Sequence, residues 1–137
     1  MLESLVSMQL YVLNTAERRP LTFDLPELKQ HLDRQAEARE LNDPAGYYES
    51  FLQFIETMIS PLHNQHMLNI LHQTKGKMMF KMISNRKLFP QYKPHRSLES
   101  NRKAYEALAN NDLEGTKAAV LEIYTSTYEH LITNGYI

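Results

Sequence analysis

The segment "YYESFLQFIETMISPL" sets Tyr48, Phe51, Ile55, Met58 and Leu62 at spacings of three and four, with Tyr47 and Phe54 beside them. That period matches a helix and no strand, so it predicts a helix with one buried stripe. The same spacing governs most of the chain. Glycine occurs only at 46, 76, 115 and 135, and no stretch alternates apolar and polar residues between turn signals as a sheet requires. We read the sequence as all-α, a single antiparallel bundle of about six helices, at about 2–16, 25–40, 44–60, 64–87, 98–110 and 112–133. Its 137 residues suit one domain, which can bury a sufficient core without staples.

Local signals set the helix ends. Asp24 can cap the second helix, with Pro26 in its first turn, where a missing N–H costs nothing. Asn64 can cap the fourth, and Asn111 with Glu114 has the spacing of a capping box for the sixth. "LFPQYKPHRS" is the one substantial loop. The first helix is apolar nearly all round, with Leu2, Leu5, Val6, Met8, Leu10, Tyr11, Val12 and Leu13, which predicts burial on several sides or an oligomer contact. It starts at Met1 without a cap, as an internal element of a longer protein would, although native initiation there is also open.

Cysteine is absent, which excludes disulfides, thiolate metal sites and cysteine nucleophiles and fits a reducing compartment, the cytoplasm by default. The N-terminus has neither a basic leader nor a long apolar run, so neither signal peptide nor membrane span is expected. No GxSxG, HExxH or glycine-rich phosphate loop occurs, and nothing argues for an enzyme. The net charge of −1 hides an asymmetry: Lys75 to Lys103 holds nine of the fifteen Lys and Arg residues against Glu99 alone. This block is either an anion-attracting surface or a solvated helix face and loop.

"PLHNQHMLNILHQ" brings His63, His66 and His72 close in sequence. The Asn64 cap leaves His63 outside the helix, and His66 and His72 lie about 240° apart around it, so surface histidines are the simpler reading and a metal site the sharper one. Met67, Met78, Met79 and Met82 form either an adaptable binding wall or ordinary core. Asn101 is the most informative residue. Flanked by Leu98, Tyr105 and Leu108 at helical spacing, it should point inward, where its amide bonds either a ligand or a neighbouring protein group.

Taken in order, these elements resemble the C-terminal effector-binding domain of GntR-family transcriptional regulators, the FadR subgroup, called the FCD domain. "LESLVSMQLYVLNTA" resembles its opening helix, "FIETMISPLHNQHMLNIL" its helix, turn and Asn-led next helix, and "SLESNRKAYEALANNDLEGTKAAVLEIYTSTYEHL" its closing helix pair. Many members of that family hold a divalent metal with one Asp and three His. Carried over by spacing from Asn64 and Asp112, the resemblance assigns those positions to Phe51, Ile55, Asn101 and Ile123, none of them a carboxylate or imidazole. No metal or other cofactor is therefore expected, and His63, His66 and His72 stand elsewhere. The resemblance also implies an N-terminal winged helix-turn-helix, for which these residues leave no room, so DNA contact is expected only through that missing module.

The reading that follows is a ligand-sensing and dimerisation domain spanning 1–137, a homodimer that binds a small organic acid or acyl-type effector. Lys77, Lys81 and Arg102 are candidate anchors for an acid. Phe51, Ile55 and Ile123, with Asn101 and Tyr105, line an apolar pocket for an acyl chain or form a filled core. The rival from another class is a helical adaptor that binds only protein.

Overall fold

The computed structural model describes residues 2–88 and 96–133. Six helices follow one another: α1 (Leu2–Arg18), α2 (Leu25–Glu40), α3 (Pro44–Ile59), α4 (Gln65–Leu88), α5 (Arg96–Ala109) and α6 (Leu113–Thr133), with a 3-10 turn at Ser60–Leu62. No strand occurs among the described residues. Most of the expected loop "LFPQYKPHRS" lies outside them.

The bundle is two hairpins joined through their neighbours. α2 packs on α3 and α5 on α6, while α1 lies against α6 and α3, and α4 leans mainly on α3. Both hairpins turn in the same way, because the sequence N-D-x-x-G occurs twice. Asn42 and Asn111 take left-handed backbone (φ 54° and 58°), which Asn tolerates better than most residues. The next residue then sends its N–H back into the finished helix, Asp43 to the Ala38 carbonyl and Asp112 to the Ala107 carbonyl, each at 2.8 Å. Its side chain turns forward and caps the new helix: Asp43 Oδ1 accepts from Gly46 N–H at 3.1 Å and Asp112 Oδ1 from Gly115 N–H at 2.9 Å. A Cβ on either glycine would collide with the capping carboxylate, which explains both glycines.

This corrects the expected capping box. Asn111 is committed to the left-handed turn and Asp112 is the cap, so the sixth helix starts one residue later than the Asn111–Glu114 spacing suggested. The other caps are as expected: Asp24 accepts from Glu27 N–H and Asn64 from Met67 N–H, both at 3.0 Å.

α1 also departs from expectation. Leu5, Val6, Met8, Val12 and Leu13 are buried within the single chain, whereas Ser4, Ser7, Tyr11, Asn14 and Arg18 form an exposed face. The serines, one turn apart, give the helix a solvated side that its apolar count obscured. At its far end Lys117 of α6 pairs with both Glu17 of α1 and Glu114. This hydrogen-bonded pairing holds the Glu17 carboxyl below, and the Lys117 ammonium above, their ordinary ranges.

The core has two parts that share contacts with Phe23 and Met79. One gathers Leu13, Leu28, Tyr47, Phe54, Met58, Leu98, Leu108 and Val120 from five helices. The other joins Leu5, Met8 and Val12 of α1 to Phe51, Leu52, Ile55 and Ile59 of α3, Leu71 and Met78 of α4, and Ile123 of α6. No helix among the described residues is long and apolar enough to cross a membrane.

Candidate functional site

The site is built from α3 and α5. Capping by Asp43 starts α3 so that Tyr47 falls in its first turn, facing inward and almost fully buried. Its hydroxyl accepts the Leu98 N–H at 3.2 Å and shares a hydrogen bond with Ser97 Oγ at 2.9 Å. One of the four N–H groups that open α5 is thereby satisfied, and the two helices are fixed together. Burial raises the Tyr47 phenol above its ordinary value, so it keeps its proton at neutral pH.

One turn further along α5 stands Asn101, 0% exposed, with neither Nδ2 nor Oδ1 hydrogen-bonded. Natural cores rarely leave both atoms of an amide unmet, because each orphaned group costs about 1–3 kcal/mol. Gln35 of α2 is equally buried and lies near the Tyr47 hydroxyl without closing a hydrogen bond. Gln9 of α1 donates only to the Met58 sulfur at 3.3 Å, a weak acceptor, and leaves its Oε1 unpaired. By contrast, the buried Thr15 and Thr116 hydroxyls are satisfied by carbonyls of their own helices.

The remaining sequence candidates divide between interior and surface. Phe51, Ile55 and Ile123 are buried together in the second core cluster, against the α1 wall and with Met78 beside them. Met67 and Met79 pack there partly buried, and the Met82 side chain lies outside the described residues. Leu98, Leu108 and the partly buried Tyr105 belong to the first cluster, so the face that carries Asn101 is inward as expected. Lys77 and Lys81 are exposed on α4. Arg102 is half-exposed and paired with Glu99 at 2.8 Å, which also meets Arg39 at 3.7 Å, while Lys103 binds Glu122. The basic block is therefore partly neutralised at its α5 end.

The three clustered histidines have separate surroundings. His63 takes left-handed backbone (φ 53°) as it closes the 3-10 turn, His66 is exposed, and His72 reaches back to Glu56 of α3 at 2.6 Å. That last contact pins α4 on α3. Among the described residues no group of three His, Cys, Asp or Glu is placed to hold a metal. At the positions that the resemblance assigns to the family's metal ligands stand three hydrocarbons and one amide, a donor set that does not fit a divalent ion.

Two further polar residues, Gln9 and Gln35, are as buried as Asn101 and carry the same helical-spacing signal in the sequence. Gln9 has Leu5, Val12 and Leu13 at helical spacing, and Gln35 has Leu28, Leu32 and Ala38. A third interior group, His31 with Thr57, carries no such signal. His31 Nε2 lies 3.0 Å from Thr57 Oγ1 and 3.5 Å from Glu27, and burial depresses its pKa below the ordinary value despite the neighbouring carboxylates of Glu27 and Glu56.

Comparison with known proteins agrees with this architecture. The model of the FCD domain family matches residues 1–126. A solved structure of Lar, which controls the expression of the Listeria monocytogenes agr system and mediates virulence, superposes with a TM-score of 0.77 at 18% identity. The match covers 91% of this chain and 58% of that one, so at this identity it speaks to the fold. No curated protein matches. The chain belongs to the FCD-domain family, the effector-binding domain of the GntR-type transcriptional regulators that its sequence resembles.

Proposed function

We propose that this FCD domain is a metal-free ligand sensor and dimerisation module, in which an effector changes DNA binding by an attached winged-helix domain. The observation that carries this reading is Asn101: wholly buried, unpartnered at both amide atoms, and at a position that the resemblance assigns to the family's site. Of the two effector types, an acyl-type compound is favoured, with its chain against Phe51, Ile55 and Ile123 and its polar end toward Asn101. A small organic acid held by Lys77, Lys81 or Arg102 is the weaker arm, since those cations are exposed or half-exposed. Binding must favour one arrangement of the dimer over another, because a ligand that fits both equally shifts nothing.

Thermal unfolding against a metabolite collection tests the reading. A sensor is stabilised by RT ln(1 + [L]/Kd), about 2.7 kcal/mol at one hundred times Kd, and silence from every compound sinks it. Dimerisation is tested by light scattering, where a clean monomer at tens of micromolar (roughly the Kd range of weak interfaces) removes that half. The adaptor reading draws on one observation, the 77% exposure of Phe80 beside Lys77 and Lys81 on α4, and gains if no metabolite binds.

A further inference from the structure

The polar chemistry of the interior is uniform in one respect. Among the described residues no carboxylate, ammonium or guanidinium is buried, and His31, whose pKa burial depresses, is neutral at pH 7. Most of what remains unsatisfied is carboxamide, Asn101 and Gln35 at both atoms and Gln9 at its oxygen, beside the Nδ1 of the neutral His31 ring. A carboxylate brought into this core would carry a full charge with no buried counter-ion, which is far more costly than burying a neutral group. An amide side chain free at both ends offers a donor beside an acceptor. The group that completes it best has the same pair in reverse, forming two reciprocal hydrogen bonds.

We propose that the effector is recognised through Asn101 as an uncharged head group with adjacent donor and acceptor, a carboxamide in the simplest case, carried on an apolar body. This rests on the sensing reading and narrows its ligand class: the ionised organic acid is excluded and the neutral acyl derivative selected. No covalent step is involved. Gln9 and Gln35 are of the same chemistry, so neither introduces a charge that would favour an anion.

The probe pair hexanamide and hexanoate isolates the head group, because the two share one chain and differ in charge at neutral pH. On the full chain, titration calorimetry and thermal shift should show hexanamide binding at least about tenfold tighter than hexanoate. Hexanoate should improve as pH falls, by up to roughly tenfold per unit, as its neutral form grows. In a spectrum of the protein with labelled asparagine, hexanamide should move the Asn101 Nδ2 protons, a readout that needs no substitution. Asn101→Leu should remove the hexanamide response. The inference is overturned by hexanoate binding as tightly as hexanamide, by hexanoate affinity that ignores pH, by an unmoved Asn101 resonance in the complex, or by a hexanamide response that survives Asn101→Leu. Silence from both probes also overturns it, and reaches the sensing reading only if the wider metabolite screen is silent too.

Discussion

The buried hydroxyl of Tyr47 meets α5 at Leu98, one helical turn before the buried amide of Asn101, yet their circumstances are opposite. Tyr47 is closed off, its oxygen bonded to the Leu98 N–H and to Ser97 Oγ, whereas both Asn101 amide atoms are without a partner. His31 stands between, met at Nε2 by Thr57 but not at Nδ1, and Gln35 resembles the second case. Equal burial therefore does not mean equal purpose. A satisfied polar group fixes helices against one another, while an unsatisfied one at the same depth weakens the apo fold unless something else meets it.

Substitution should separate the two sorts. Tyr47→Phe keeps the ring and takes the acceptor from the buried Leu98 N–H, so it should cost about 1–3 kcal/mol in urea denaturation. An unchanged midpoint would erase the contrast. Asp112→Ala, which removes the α6 cap while leaving the interior alone, should cost about 1 kcal/mol, as should Asp43→Ala at the matching turn. Unequal losses at these two sites would show that the repeated turn is not energetically repeated.

His31 sharpens the comparison through pH. Its folded pKa lies below the ordinary 6.5, because burial outweighs Glu27 and Glu56 and Arg34 adds to the depression. The unfolded chain therefore binds the proton first as pH falls. The stability from the neutral ring is whole above 6.5 and drains away as pH drops from there toward the folded value. Denaturation midpoints between about pH 7.5 and 5.5 should fall less in His31→Gln than in the native chain. An equal slope would assign the acid sensitivity to other groups.

Much of this architecture was readable in the residues. Apolar spacing located all six helices, because an amphipathic stripe is a property of the sequence itself, and Asp24 and Asn64 act as the caps they were read to be. Asn111 misled because a capping box and a left-handed turn both favour Asn; only the recurrence of N-D-x-x-G, with Gly46 and Gly115 under their capping carboxylates, distinguishes them. The solvated side of α1 was masked by counting apolar residues rather than following Ser4, Ser7 and Tyr11 round the helix. For the site, helical spacing gave the inward direction of Asn101. Its lack of partners depends on which side chains from α2, α3 and α6 approach α5, and no local pattern encodes that.

The smallest expected effect is the most telling. Asn101→Leu replaces an unmet amide with a hydrocarbon of similar size, so in urea denaturation without added compounds the variant should match the native chain within about 0.5 kcal/mol or exceed it. A loss of about 1–3 kcal/mol would mean that Asn101 already has a partner inside the protein, and would contradict the claim that this amide is held open for a ligand.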